Sequence, residues 1–192
     1  MSFGVRVFDT VLNSKNIKDT VTRNSSSFWK EFCAVSGWSF SYERIHSFTD
    51  LKYFLSRTIK EDFIIFSGHG DESGWHMTNG DVLSAASSTE IKLHKNNIGK
   101  NIIFSSCLMA NNEELCKNLK NNLQAKRLFA YKHLMLDAFC FLNESILLNQ
   151  IEQIEKRKCF TYNDFTVFQE NTMFMKNLNI KHVKTHPMKM FD

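Results

Sequence analysis

Continuous apolar runs alternate with amphipathic stretches along most of the chain. Residues 61–70 (EDFIIFSGHG) and 100–107 (KNIIFSSC) each carry an apolar run without polar alternation. Such runs are typical of strands that are covered on both faces of a parallel sheet. Shorter patterns predict three further strands, at residues 5–8, 38–45 and 127–131.

The amphipathic stretches predict helices between these strands. Apolar residues recur at helical spacing after residue 25 and through residues 50–60, where Ser47 or Thr49 is available as a cap. A further helix is predicted from Asn111, which has capping-box spacing to Glu114, and a long helix is predicted over residues 137–154. Asn79-Gly80, between short apolar segments, predicts a hairpin turn.

Strands that alternate with helices indicate an α/β protein, which we expect to be a three-layer α/β/α sandwich with a mostly parallel central sheet. The main domain is expected to span residues 1–155, because no repeat or Pro/Gly/Ser-rich linker divides it. Residues 156–192 are harder to interpret. They are expected to pack on the same domain, either by adding a strand or hairpin or as a peripheral segment.

Composition limits the possible class of protein. With 43% hydrophobic and 23% charged residues in 192, the chain can bury a core and is not disordered. Its apolar runs fall far short of the roughly 20 residues that cross a bilayer, so no membrane segment is expected. No secretory signal is readable at the N-terminus. Five cysteines without a CxxC pair suggest reduced thiols, and we expect a cytoplasmic protein.

The net charge of +4 belongs to the C-terminal segment. Residues 156–192 contain seven Lys or Arg and three Asp or Glu, a difference of +4, so the first 155 residues are balanced. A nucleic-acid footprint normally forms a dense basic stripe. Because these basic residues are thinly spread, nucleic acid is not expected as a partner.

Two reactive residues follow the apolar runs. His69 comes after FIIFSG and Cys107 after IIFSS, and the carboxyl ends of parallel strands meet at one edge of a sheet. A Cys thiolate is an effective nucleophile, and a nearby imidazole can act as its general acid and base. The amide hydrogens of Gly70 and Cys107 are candidate donors to an oxyanion. The small residue Gly68 also allows tight backbone geometry there.

At these residues the sequence resembles the caspase-like superfamily of cysteine peptidases, which includes caspases, metacaspases, gingipains, separases and CHAT peptidases. The pattern is an apolar strand ending in His-Gly and a second ending in a small residue and Cys. The resemblance extends over about residues 5–148. It implies a caspase-like fold and an endopeptidase that cleaves a protein or peptide through a thioester, without a cofactor. It also implies a role in antiviral defence or regulated cell death, and the small size suggests an activating protein partner.

Two departures qualify the resemblance. Many CHAT proteins have a glycine soon after the cysteine, whereas Leu108, Met109 and Ala110 follow Cys107. The His-to-Cys separation, 107 − 69 = 38, is shorter than the caspase value of roughly 50. A compact CHAT-type peptidase therefore fits better than a caspase. The alternative is a catalytically inactive caspase-like module that binds a partner protein.

Other polar residues carry weaker expectations. The resemblance implies an acidic pocket for Lys or Arg, for which Asp9 and Asp137 are the substrate-binding candidates. An Asp beside a strand is more often a turn or helix cap, and Asp137 is the better cap candidate of the two. His182 and His186 have metal-pair spacing without a third ligand, and zinc held by His69, His76, His94 and Cys107 is rejected because no pair has a recurrent spacing. No metal site is therefore expected. Cys33 and Cys140 are expected in the core, and Cys116 and Cys159 have no context comparable to that of Cys107.

Overall fold

A computed structural model describes residues 3–11, 25–178 and 184–192 of the chain. The strands are β1 (Gly4–Asp9), β2 (Ser39–Arg44), β3 (Phe63–Ser67), β4 (Gly70–Asp71), β5 (Gly74–His76), β6 (Val82–Leu83), β7 (Asn101–Ser105), β8 (Arg127–Tyr131) and β9 (Met188–Phe191). The α-helices are α1 (Ser25–Ser36), α2 (Phe48–Leu55), α3 (Ala85–Ser88), α4 (Glu113–Asn122), α5 (Asp137–Glu155) and α6 (Tyr162–Thr172).

A six-stranded sheet in the order β2-β1-β3-β7-β8-β9 forms the centre of the fold. The first five strands in this order are parallel, and only β9 runs antiparallel, beside β8. Strands β4, β5 and β6 form a small antiparallel sheet beyond the end of β3. The predicted α/β sandwich with a mostly parallel sheet is confirmed.

Helices cover both faces of the central sheet, because each buried strand sends alternate side chains to opposite sides. One face packs β3 residues Phe63 and Ile65 against apolar residues of α1, α5 and α6. The other packs Ile64 and Phe66 against α2, α4 and the small sheet. Burial on both faces explains why β3 and β7 lack polar alternation.

Helix α2 ends five residues earlier than the predicted limit of residue 60. The buried Asn97 side chain donates to the carbonyls of Leu55 and Arg57, 2.8 Å each, and accepts the amide hydrogen of Ile59 at 2.8 Å. It thus satisfies backbone groups that a longer helix would use. The start of α2 agrees with prediction, since Ser47 caps it in a capping box with Asp50.

Helix α4 begins two residues later than predicted. A short 3-10 turn, Met109–Asn111, follows Cys107, and Asn112 rather than Asn111 caps α4 by accepting the Leu115 amide hydrogen at 3.0 Å. The Asn79-Gly80 turn is confirmed, because β5 and β6 pair across it and Gly80 has a positive φ of 94°.

The C-terminal segment adds one helix and the sixth strand to the part of the fold that is described. Phe165 and Phe168 of α6 and Met188 of β9 lie in the same hydrophobic cluster as α1 and α5. The division at residue 155 stays a prediction. None of the helices in the described ranges is both long and apolar enough to cross a membrane.

Candidate active site

His69 and Cys107 occupy equivalent positions beyond neighbouring strands. Strands β3 and β7 pair in parallel with Ser67 opposite Ser105, an offset of 105 − 67 = 38 residues. The separation of His69 and Cys107 is also 38 residues, so each lies two residues past the same rung of the ladder. The short His-to-Cys separation noted in the sequence therefore equals the offset between paired residues of β3 and β7.

The backbone at Gly70, after β3, lies directly against the side chain of Ser106, after β7. A Cβ atom added to Gly70 would lie 2.7 Å from Oγ and 2.9 Å from Cβ of Ser106, closer than a side chain at position 70 tolerates. The turn after β4 is also held, since the Asn112 side chain donates to the Glu72 carbonyl at 3.0 Å. Glycine at position 70 thus lets the His69 loop approach the Cys107 loop.

The Gly70 amide is directed away from β5. The His76 amide donates to the His69 carbonyl at 3.0 Å, and Gly70 is opposite Trp75 in the next rung. Because hydrogen-bonded and non-hydrogen-bonded pairs alternate in an antiparallel ladder, Gly70 and Trp75 do not exchange backbone hydrogen bonds. This orientation suits an amide that donates to a substrate.

The Cys107 thiol is partly buried and contacts the loop between β8 and α5. Its Sγ accepts the backbone amide hydrogen of Met135 at 3.2 Å. The same loop is tied to the next residue, since the Leu108 amide donates to the His133 carbonyl at 3.2 Å. Residues 132–136, which we name the sulfur loop, therefore hold the thiol in this structure.

Leu108 adopts the left-handed conformation, with φ of 61°. Glycine takes this conformation without steric cost, whereas for an L-residue it is unfavourable by roughly 1–2 kcal/mol. The residue that follows Cys107 is not glycine, yet Leu108 adopts a backbone conformation that favours glycine. The backbone therefore turns tightly directly after the cysteine.

His69 is partly exposed, and its ring lies against that of His76 with centroids 5.1 Å apart. Burial, together with the neighbouring imidazole of His76, lowers the pKa of His69 below its usual value, against the opposing charge of Asp71. A neutral imidazole at neutral pH is the form that accepts a proton from a thiol.

Asp71 and His76 form a hydrogen-bonded pair beside His69, with 2.9 Å between Oδ2 and Nε2. Burial alone would raise the pKa of Asp71, but hydrogen bonds from Ser73 and His76 outweigh it and lower that pKa to about 2. Asp71 is therefore a carboxylate throughout the ordinary pH range.

Known proteins resemble this chain in structure but not in sequence. No protein-family model and no curated protein matches it. The crystal structure of the Arg-specific cysteine proteinase gingipain R superimposes with a TM-score of 0.60 at 10% identity, covering 97% of this chain. A complex of the pro- and mature domains of RgpB from Porphyromonas gingivalis superimposes with a TM-score of 0.55, again at 10% identity and 97% coverage. The fold is caspase-like.

The likeness covers only part of the solved proteins. This chain spans 46% of the length of each of the two. At 10% identity the comparison establishes the caspase-like fold, and the roles of individual residues depend on the geometry of this chain.

The caspase-like fold places the two predicted pocket residues differently. Asp9 ends β1 and is fully buried, and its Oδ2 accepts from Ser25 Oγ at 3.1 Å and Tyr42 OH at 3.0 Å. Asp137 is exposed and begins α5, but Leu136 is the N-cap, so the expectation that Asp137 caps the helix is wrong by one residue. The pocket role of each stays a prediction.

The remaining cysteines lack the setting of Cys107. Cys33 and Cys140 are buried in the core as predicted, and so is Cys116. Burial raises the pKa of Cys33 and of Cys116 to about 12, which keeps both thiols protonated. Cys159 is exposed on the surface.

Of the histidines considered for zinc, His69 and His76 lie together, with ring centroids 5.1 Å apart, whereas His94 and His186 contact other residues. His94 lies near Thr58, its ring nitrogens 3.3 Å from Oγ1, and His182 falls outside the described residues. His186 is buried, and its Nε2 lies 3.1 Å from Thr172 Oγ1 and 3.2 Å from Asn143 Oδ1. Neither His94 nor His186 belongs to the group of ligand atoms that contains His69 and His76.

The sequence reasoning missed Asp71 beside His69. Strand β4 has two residues and β5 has three, too few to show a period-2 pattern. The available signal was the spacing His69-x-Asp71, which places both side chains on one face if the segment is extended. A turn at Glu72 and Ser73 then returns His76 to the same place.

Proposed function

We propose that the protein is a cysteine endopeptidase in which Cys107 is the nucleophile and His69 the general acid and base. The amides of Gly70 and Cys107 are the proposed donors to the oxyanion. The main support is the shared register of β3 and β7, which delivers both side chains to one edge of the sheet. The close approach of Gly70 to Ser106 supports the same pairing of loops.

The proposed reaction proceeds in two halves. His69 takes the thiol proton, and the sulfur attacks the carbonyl carbon of the scissile peptide bond. The oxyanion is stabilised by the two amides, and His69 then gives its proton to the leaving amine as the C–N bond breaks. Water attacks the thioester while His69 accepts its proton, and as the C–S bond breaks His69 returns that proton to the Cys107 sulfur and the carboxylic acid is released.

The sulfur loop must move or share its hydrogen bond when the substrate binds, because the Met135 amide is directed at the sulfur. The side chains on either side, Leu134 and Leu136, are 47% and 42% exposed. We propose that an activating protein partner covers these leucines and shifts Met135. Burial of the exposed parts of these two leucines contributes about 2–3 kcal/mol to such a contact, and the rest of the interface has to supply the remainder.

The substrate is proposed to carry Arg or Lys at the cleavage site, received by Asp137. One structural neighbour is described as Arg-specific. Asp137 is exposed and only two residues from Met135, whereas the Asp9 carboxylate is buried among partners in its own domain. Asp137→Asn is expected to reduce cleavage after basic residues, while Asp9→Asn is expected to reduce stability. Equal loss of basic-site cleavage in both variants would contradict this assignment.

A peptide library tests the peptidase proposal directly. Wild type, Cys107→Ala and His69→Ala are incubated with the library, and products are identified by mass spectrometry. Cys159→Ala is the matched control, because it removes an exposed cysteine outside the site. Cleavage is expected in wild type and in the control, and no cleavage is expected in Cys107→Ala. The cleavage rate of His69→Ala is expected to be lower than that of wild type by roughly 100-fold or more.

Iodoacetamide provides a second measurement that needs no substrate. In the Cys159→Ala background, Cys107 is expected to be alkylated more slowly once His69 is replaced. Cleavage that persists in Cys107→Ala, or alkylation of Cys107 that is independent of His69, would contradict the proposal. Binding of a partner that is unchanged in Cys107→Ala, without any cleavage, would favour the interaction module.

The proposed setting is antiviral defence or regulated cell death. Expression in cells together with the neighbouring genes is expected to arrest growth with wild type and not with Cys107→Ala. Arrest by both variants would contradict a role that depends on cleavage.

A further inference from the structure

Three potential metal ligands gather on the hairpin formed by β4 and β5. His69, Asp71 and His76 each offer one ligand atom, and these atoms lie within 4.8 Å of one another. We name these residues the hairpin triad. Among the described residues, no other three His, Cys, Asp or Glu side chains have ligand atoms this close together.

The backbone accounts for the gathering. His69 and Asp71 are two residues apart along an extended segment, so their side chains point to the same face. Asp71 is opposite Gly74, and the His76 amide bonds to the His69 carbonyl at 3.0 Å, so His76 is across the ladder from His69. Side chains directly across an antiparallel pair share a face. The hairpin therefore presents all three side chains together.

Two imidazoles and a carboxylate suit a divalent transition metal. This donor set occurs in catalytic zinc sites and in non-haem iron sites. Histidine and aspartate ligands lie about 2.0–2.2 Å from zinc, so two ligand atoms on one ion are roughly 3.3 Å apart in a tetrahedral arrangement. Asp71 Oδ2 and His76 Nε2 are 2.9 Å apart, so this pair needs only a small widening, while the His69 ring has up to 4.8 Å between ligand atoms to close.

The carboxylate is already oriented by other groups. Asp71 Oδ1 accepts the Ser73 amide hydrogen at 2.7 Å and the Ser73 hydroxyl at 2.6 Å. These bonds leave Oδ2 directed at His76. Hydrogen bonds of this kind orient ligands in metal sites and contribute to their affinity.

We propose that the hairpin triad binds a divalent transition metal ion, and that the bound ion blocks the peptidase by occupying His69. The ion takes the place of the proton between His76 Nε2 and Asp71 Oδ2, and that proton is transferred through solvent to His76 Nδ1, so the imidazole stays neutral. His69 then donates a ring lone pair to the ion and is no longer available to accept a proton from Cys107. Metal binding stands independently of the peptidase, whereas the inhibition rests on the proposed function.

The Cys107 sulfur is not a member of the triad, although it is reactive in the proposed mechanism. The group of atoms within 4.8 Å does not include Cys107 Sγ, which contacts Met135 instead. A site that needs no thiol predicts that the metal binds when Cys107 is replaced. Direct capture of the sulfur by zinc predicts the reverse.

Calorimetric titration with Zn²⁺ tests the site in the full chain carrying Cys107→Ala. A single saturable site is expected, and Co²⁺ is expected to give visible d–d absorption as it enters the same site. His76→Gln and Asp71→Asn are each expected to weaken binding by more than the roughly 10- to 100-fold cost of losing a supporting residue. Ser73→Ala, which removes only support, is expected to lie within that range. His94→Ala is the matched control and is expected to bind as the parent does.

The outcomes separate the two parts of the proposal. Undiminished binding in folded His76→Gln and Asp71→Asn, or loss of the site on Cys107→Ala alone, would overturn the triad. Circular dichroism verifies folding, and Ser73→Ala tests the site even if a ligand variant fails to fold. If Zn²⁺ binds but inhibits wild type and His76→Gln cleavage equally, the inhibitory role is overturned while the site stands. If the chain cleaves nothing even when it is expressed together with the neighbouring genes, the peptidase fails and the binding data remain decisive for the metal.

Discussion

One polar residue at the amino end of the parallel strands and two at the carboxyl end are held in opposite ways. At the amino end, Arg127 starts β8 almost completely buried, and its guanidinium donates to Asn101, Glu155 and the Phe160 carbonyl. At the carboxyl end, His69 and Cys107 are partly exposed. A buried charge is retained only with full hydrogen bonding, so the amino end serves stability. A partly exposed imidazole with a lowered pKa, as at His69, is typical of sites that react.

Arg127→Met gives the largest expected stability change and tests the amino end. Removing one partner of a buried ion pair costs about 3–5 kcal/mol, and the lower part of this range is expected because Glu155 keeps Lys126 at 2.7 Å. The free energy of unfolding is measured from urea denaturation. Lys126→Met, at an exposed pair, is expected to cost under about 1 kcal/mol.

The contrast between the ends also requires that His69→Ala alter stability little. A loss of unfolding free energy as large as that of Arg127→Met would show that the carboxyl end is equally structural. A loss below about 1 kcal/mol, with peptide cleavage impaired, would sharpen the distinction.

His186 tests whether every histidine at the carboxyl end is reactive. It precedes β9, whose Met188 pairs with the last residue of β8, yet it is buried and its Nδ1 accepts the Met188 amide hydrogen. Burial lowers the pKa of His186 to about 4, below roughly 6.5 in the unfolded chain. Since the unfolded chain binds the proton first, stability is complete above about pH 6.5 and falls as the pH drops toward 4.

The expected loss over this interval is about 3 kcal/mol, at 1.36 kcal/mol for each unit of pKa. Urea denaturation of wild type and His186→Gln at several pH values isolates it, because the other titrating groups are common to both. Curves that stay parallel from pH 7 to 4 would contradict the assignment.

Gly70→Ala tests the contact between the two loops and has a smaller expected effect. The added methyl group would overlap Ser106, and overpacking of this kind costs about 1–3 kcal/mol. Slower alkylation of Cys107 is also expected if the His69 loop is displaced. Ser106→Gly removes both overlapping atoms, so the double variant is expected to recover part of each loss. Strict additivity in this double-mutant cycle would show that the loops are not in contact.

The apolar runs predicted the fold because burial on both faces leaves a strong local pattern in β3 and β7. They also predicted that His69 and Cys107 share an edge, since strand direction alone decides it. Strand β9 could not be predicted from the sequence pattern, because its four residues form a strand only by pairing with β8. The sequence analysis considered His69 and His76 as zinc ligands and rejected them, and it missed Asp71. The β4–β5 turn has no Asn-Gly signal, and Asp71 and His76 come together only when this turn forms. The conformation of Leu108 is likewise invisible in a residue that seldom adopts it.

The 38-residue register has a consequence for protein engineering. Pairing of β3 with β7 determines where Cys107 lies, so the length of the connecting segment between these strands does not set its position. An insertion at the exposed Gly80 turn, where an added Cβ would meet nothing within 4 Å, lengthens the connecting segment and leaves the two paired strands in place. One residue inserted inside β7 would instead move every later side chain of that strand to the opposite face of the sheet. A reporter peptide therefore belongs at Gly80, and the five residues of β7 have to be kept in number.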